Sequence, residues 1–221
     1  MKITTIHCKL KTNKPLKKLQ THYLRGYILN KYNEDNNIEL HNHSGTGFVY
    51  SYPKIQYKII RGNAHLLGFN EGMNILKQII LDISELELNH EVYKVVDGYI
   101  SVRSEDFGIS NKIKEYKFIA PWVALNNKNY KDYLKLNEED RKEKLSKILT
   151  GNLISLSKSL NYTVEERINT EILKYKEIPI KYKGNKLVGF YATFNTNFNI
   201  PNLFGVGGKV SKGFGTIKLI E

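Results

Sequence analysis

The chain has 221 residues, 41% of them hydrophobic, enough to bury a core as one large domain or two small ones. Its 34 Lys and Arg against 22 Asp and Glu leave a net charge of +12, a balance that favours polyanionic partners, either nucleic acid or an anionic membrane surface. The single cysteine, Cys8, excludes an internal disulfide framework and fits a reducing cytoplasm, and no apolar run of about 18 residues is present to span a membrane.

Residues 2–10 alternate as a strand in which Ile3, Ile6 and Leu10 bracket polar positions, and Cys8 reads as a small buried hydrophobe. Leu16, Leu19, Tyr23, Leu24, Tyr27 and Ile28 then recur at helical spacing, with Pro15 suited to the first turn. Lys14, Lys17, Lys18 and Arg25 fall mostly off that stripe and give a basic outer face; no acidic residue precedes Glu34. A polar loop follows at Asn33–Asn37. Gly45 and Gly47 mark a turn after Leu40-His41-Asn42-His43, and Phe48–Tyr52 and Lys54–Ile60 read as strands on either side of Pro53. A helix carrying Ile75, Leu76, Ile79, Ile80 and Ile83 and a strand within Val92–Val102 complete a β-α-β-β-α-β order, the ferredoxin-like arrangement.

The order repeats. Tyr116–Leu125 reads as a strand with Pro121 near a bend. A helix starts at Asn137-Glu138-Glu139-Asp140, where the acidic residues suit the helix dipole, and continues through Leu145, Leu149, Leu153, Leu156 and Leu160. Thr163–Lys176 is an extended candidate, and Ile178–Tyr182 with Leu187–Phe194 form a hairpin across Lys183–Lys186. The fold class is therefore α+β, with tandem ferredoxin-like domains over residues 1–110 and 111–221 and a joint near residues 108–115.

Phe204–Gly215 holds five of the chain's 16 glycines, at Gly205, Gly207, Gly208, Gly213 and Gly215, together with Lys209 and Lys212. Backbone without a Cβ can lie close to a ligand, and successive N–H groups in such a loop form a nest for anions, so the segment reads as a phosphate cradle. It is not a dinucleotide fingerprint, because only a short strand follows where a helix is required, and not a P-loop, because Phe214-Gly215 stand where Lys and Ser/Thr belong.

The ending Gly205-x-Gly207-Gly208-Lys209-x-x-Lys212-Gly213-Phe214-Gly215, with Leu40–His43, Gly47–Tyr50 and Tyr52–Lys58, resembles the CRISPR-associated repeat-processing endoribonucleases of the RAMP superfamily, and within them the type I-B branch. The resemblance implies tandem ferredoxin-like folds, the glycine-rich loop as an RNA contact, and cleavage of CRISPR repeat RNA in a precursor transcript. It implies a reaction without metal or cofactor, in which the ribose 2′-OH attacks the adjacent phosphodiester to leave a 2′,3′-cyclic phosphate and a 5′-OH. It also implies other subunits of a type I interference complex as partners; monomer and homodimer are both compatible. A non-catalytic RAMP subunit that binds guide RNA is the alternative.

The residues supply the chemistry this asks for. His41 and His43, two apart, share a face if their segment is extended, and imidazole near its usual pKa of about 6.5 can act as base or acid. Tyr50 can orient or donate a proton. Lys54 and Lys58 alternate along one strand face and, with Arg25, Gly205, Gly207, Gly208, Lys209 and Lys212, form the expected RNA-binding set. A metal site needs three or four ligands, and His7, His22, His65 and His90 are scattered in sequence.

Overall fold

The computed structural model describes residues 1–32, 43–44, 47–48, 52–182 and 184–220, with backbone alone at 43, 44, 47, 48, 127, 128 and 185. The chain divides into two compact units, Lys2–Glu105 with Ser211–Gly213, and Met1 with Asp106–Val210 and Phe214–Glu221. Among the described residues no helix is long and apolar enough to cross a membrane.

The first unit runs β1 (Lys2–Thr12), α1 (Thr21–Lys31), β2 (His43–Ser44), β3 (Gly47–Phe48), β4 (Ile55–Ile60), β5 (Asn63–Phe69), α2 (Glu71–Asp82), β6 (Glu85–Leu88) and β7 (Glu91–Asp106). Its sheet has the order β4-β5-β1-β7-β6. Ile6, Cys8 and Leu10 on β1, Ile55, Tyr57 and Ile59 on β4, and Ala64 and Leu66 on β5 join Leu24 and Ile28 of α1 and Ile75, Leu76 and Ile79 of α2 in one apolar core. Because successive strand residues alternate, Thr5, His7, Lys9, Gln56, Lys58 and His65 take the opposite sheet face.

The expectation for the first helix changes here. The first helix begins only at Thr21, after a 3-10 turn at Lys18–Gln20. Pro15 lies outside it, in a loop held by Thr12 Oγ1 donating to Lys14 O and Leu16 N donating to Gly62 O. Leu19, placed on the apolar stripe by spacing, is 80% exposed. The strand expected within residues 92–102 is β7, and β6 precedes it in a hairpin turning through Asn89 and His90 at φ 55 and 63. Positive φ at both turn residues matches the right-handed twist of the paired strands.

The second unit contains β8 (Gly108–Phe118), α3 (Asn127–Leu134), α4 (Glu138–Ser159), β9 (Thr170–Tyr182), β10 (Asn185–Asn199) and β11 (Ile217–Leu219), in the sheet order β11-β8-β10-β9. Residues 108–115, where the joint was expected, are strand. Asn137 caps α4 by accepting from Asp140 N at 2.9 Å, and Leu145, Leu149, Leu153 and Leu156 form its buried face. Trp122, fully buried, stacks on Phe118 at 5.0 Å, and its Nε1 donates to Asn152 Oδ1 at 2.9 Å. Where the first unit has α2, this unit has no helix: residues 200–216 cross between β10 and β11 with one 3-10 turn, Val210–Lys212. Both units thus carry the ferredoxin-like strand order, and the second replaces a helix with the glycine-rich crossing.

Candidate nucleic-acid interface

The glycine-rich crossing is tied down at both of its ends. In the second unit Val206 N donates to Gly215 O at 2.9 Å, Gly215 N to Pro121 O at 2.8 Å, and Gly208 N to Val123 O at 3.0 Å. Gly205 bridges to Thr216. These donors are committed to carbonyls within the protein, so they are not the ones a nest would aim at an anion. Gly207 at φ +90 lies against Trp122, where a Cβ would come within 2.5 Å of Nε1. Several of these glycines are therefore required by close packing. Lys209, exposed at φ 60, holds its ammonium 4.6 Å from the centroid of the Tyr182 ring, which also meets Phe214 edge-on at 6.0 Å. That contact joins the crossing to the tip of the β9–β10 hairpin, where Lys181 and Lys186 are paired in register and exposed.

In the first unit, Gly213 lies over the start of α1 and the edge strand β4. At φ +83 its Cβ position is 3.0 Å from Thr21 Cγ2, 3.0 Å from Tyr57 O and 3.5 Å from Lys58 Cα. Arg25 follows Thr21 by one helical turn and is half-buried. It acts electrostatically on Tyr57, whose phenol is pushed well above the usual range by burial, with the Arg25 charge pulling it partly back. Arg25, Gly213 and the α1 start therefore gather at one corner. Lys54 pairs with Glu71 at 2.8 Å, with both side chains open to solvent.

Lys58 sits differently from a solvent-facing strand lysine. It is 1% exposed, and its Nζ donates to Gln56 Oε1 at 2.7 Å. Burial lowers its pKa to about 7. Across the sheet from it, His7 and His65 meet with Nε2 and Nδ1 2.8 Å apart and rings stacked at 5.0 Å. Burial lowers the His7 pKa to about 4, with Arg103, Lys58 and Lys9 pushing the same way. His65 is also lowered to about 4, by burial first and then by His7, Lys9 and Lys58. The sequence showed these histidines as scattered. Register is what joins them, since Lys9 opposes His65 and His7 opposes Leu67. Among the described residues no group of three His, Cys, Asp or Glu could hold a metal.

This cluster has a measurable consequence. Lys58 holds its proton less tightly folded, at about 7, than its ordinary 10.5. Between those values the unfolded chain binds the extra proton, so stability rises with pH across the window. His7 and His65 add a second window, in which stability falls as pH drops from 6.5 toward about 4. The Cys8 thiol, pushed up to about 12 by burial, opposes the trend only above its ordinary 9.0. The unfolding free energy is accordingly higher at pH 9 than at pH 7, by up to about 1.4 kcal/mol per pH unit for Lys58 alone, and the urea midpoint rises with it. Lys58→Met removes that slope; a midpoint that falls from pH 7 to 9 would contradict the assignment.

Of the proposed catalytic residues, His41 and Tyr50 lie outside the described residues, and so do Gly45 and Thr46 of the expected turn. His43 is described by its backbone: it is in extended β2, with His43 opposite Phe48 and Ser44 opposite Gly47.

Comparison with known proteins gives these features a common source. A family model described as the Cas6b N-terminal domain matches residues 1–106, and one described as the Cas6b C-terminal domain matches residues 108–220. The chain is 54% identical over 144 residues to "Uncharacterized protein MJ0978" of Methanocaldococcus jannaschii, covering 65% of this chain and 98% of that one. A solved structure described as "Crystal structure of Cas6b" superimposes with a TM-score of 0.93 at 37% identity, over 100% of both chains. Another, "Crystal structure of CRISPR RNA processing endoribonuclease Cas6b", has a TM-score of 0.80 at 34% identity, again over 100% of both. A more distant one, "Cas6 (TTHB231) product complex", shares the fold alone at 12% identity and a TM-score of 0.64. Matched from end to end by both domain models and by whole-chain structures, this chain belongs to the Cas6b family.

Proposed function

We propose that the chain is a CRISPR RNA processing endoribonuclease, which cuts repeat RNA in precursor transcripts to release guide RNAs. The observation that carries this reading is the full-length match, at 34% identity, to a structure described as a CRISPR RNA processing endoribonuclease. The net charge of +12 suits an RNA substrate.

In this proposal the ribose 2′-OH at the cut attacks the adjacent phosphorus in line. The 2′-oxygen loses its proton to a base, the P–O5′ bond breaks, and an acid protonates the departing 5′-oxygen. The products are a 2′,3′-cyclic phosphate and a 5′-OH. His41 and His43 take the base and acid roles, in either order, and Tyr50 orients the phosphate or donates a proton. The extended backbone at His43, opposite Phe48, supports this reading. Arg25, Lys54, Lys209 and Lys212 hold the RNA phosphates, with Gly205, Gly207 and Gly208 shaping the crossing that carries Lys209; Lys58, enclosed on Gln56, supports the sheet of the first unit. Subunits of a type I interference complex are the proposed protein partners.

The test is incubation of the full chain with repeat RNA in excess EDTA. Cutting at full rate at one position in the repeat is expected. Cutting only after Mg²⁺ is restored would replace the mechanism with a metal-dependent one, and binding without cutting would favour a guide-RNA-binding subunit.

A further inference from the structure

In the second unit, a cavity of about 370 Å³ opens between α3 and the β9–β10 hairpin. We propose that it is a nucleotide subsite, which takes one unpaired base of the bound RNA and sets that nucleotide's phosphate on Lys186. The proposal rests on the reading of the chain as an RNA-processing protein and adds a site distinct from the proposed catalytic residues.

The volume falls at the low end of small-ligand pockets and suits a single nucleobase with part of its ribose. The walls match a base in kind. Ile178, Pro179 and Leu187 give apolar surface, and Tyr130 offers an aromatic ring beside them. Base–aromatic stacking contributes about 1–3 kcal/mol per base. The polar groups are few and held in place. Glu177 accepts from Tyr133 Oη and faces the Arg141 guanidinium at 4.0 Å, both through Oε1, which leaves its Oε2 as an acceptor. Asn126 accepts the Asn129 N–H through Oδ1 at 2.8 Å as the cap of α3, so its amide Nδ2 is the group a ligand would meet as a donor. An acceptor and a donor lining one cavity suit the edge of a base, which presents N–H and C=O or ring nitrogen side by side.

The rim supplies charge and direction. Lys186 lines the cavity and is exposed. It is paired in register with Lys181, and the next pair along is Tyr182 with Asn185. Tyr182 is the ring that Lys209 of the glycine-rich crossing covers at 4.6 Å. Lys181 and Lys186 share one face of the hairpin, while Tyr182, with Lys209 over its ring, takes the other, so Lys186 is the cation at the cavity mouth. RNA that reaches this face meets Lys186, and the cavity then receives the base beside that phosphate.

The test uses the methyl-labelled full chain titrated with guanosine 5′-monophosphate, and separately with ribose 5-phosphate. Guanosine monophosphate should shift the Ile178 and Leu187 methyl resonances at millimolar concentration and bind at least about fivefold tighter than ribose 5-phosphate, the low end of one stacked base. Tyr130→Ala should remove that preference, and Lys186→Gln should weaken both ligands. Lys186 is exposed, so its variant keeps the fold even if Tyr130→Ala does not. No methyl shift with the nucleotide, or equal binding of ribose 5-phosphate, overturns the subsite. Neither result bears on whether the chain cuts repeat RNA in EDTA, so the two readings fail separately.

Discussion

His41→Ala and His43→Ala each slow single-turnover cleavage of repeat RNA by about 10²–10⁴-fold, the range for losing one general acid or base, while RNA affinity stays within a few-fold of the parent chain. The physical reason lies in what the reaction needs at neutral pH. One group must be free of its proton to accept from the 2′-OH, and another must carry a proton for the leaving 5′-oxygen. An imidazole near its ordinary pKa of about 6.5 populates both forms. The chain holds a second histidine pair, His7 with His65, whose surroundings do not suit the acid role. Buried among Lys9, Lys58 and Arg103, His7 and His65 are held at about 4, so at neutral pH neither is the imidazolium that would protonate a leaving group. They are also bonded to each other at 2.8 Å. Loss of rate with intact binding in both His41 and His43 variants is the expected pattern. Full-rate cutting by both would move the chemistry elsewhere in the chain.

Gly215→Ala is the substitution with the largest expected effect on stability. Gly215 has φ +63, a conformation in which an L side chain already costs about 1–2 kcal/mol. The new Cβ would stand 2.0 Å from Val206 O. That neighbour is backbone, and it is fixed, because Val206 N donates to Gly215 O at 2.9 Å and Gly215 N donates to Pro121 O at 2.8 Å. Relief requires breaking this exchange under the buried Phe204, Val206 and Ile217. A loss of about 3 kcal/mol or more is expected, which for a chain of this size lowers Tm by roughly 6–12 °C. Gly184 is the internal control. Its φ is +77, but nothing lies within 4 Å of its Cβ position, so Gly184→Ala costs only the backbone penalty of about 1 kcal/mol. Equal melting of Gly215→Ala and the parent chain would contradict the role assigned to the crossing's ends.

The elements legible in the sequence were those whose signal is local. The alternation in β1 and β4, the apolar spacing of α2, the acidic start of α4 and the tight β9–β10 turn all stand where their residues put them. The ferredoxin-like order followed from them, although the middle strand that pairs with β4 is β5, Asn63–Phe69, and not the segment at residues 48–52 that the sequence put forward. Signals that depend on a distant partner were hidden. α1 begins late because Leu16 is tied to Gly62, far along the chain, and nothing near Pro15 reports that bond. The β6–β7 turn uses Asn89-His90 instead of a glycine pair, so composition does not mark it. α3 is only eight residues long, so the helical spacing of Tyr130, Tyr133 and Leu134 is too brief to mark it. The pairing of His7 with His65 and the enclosure of Lys58 arise only when β1, β5 and β4 come into register. In the glycine-rich crossing, the sequence marks the need for residues without a Cβ but not the reason. The structure divides that need between close packing at Gly207, Gly208 and Gly215 and the contact of Gly213 with Thr21 and Tyr57.

The 3′ end of the upstream RNA fragment, made in EDTA and read by mass spectrometry, tests the proposed chemistry most directly. Attack by the neighbouring ribose hydroxyl predicts a 2′,3′-cyclic phosphate there and a free 5′-hydroxyl on the downstream fragment. A 3′-hydroxyl with a 5′-phosphate downstream would mean that water, not the ribose, is the nucleophile, and would contradict the account.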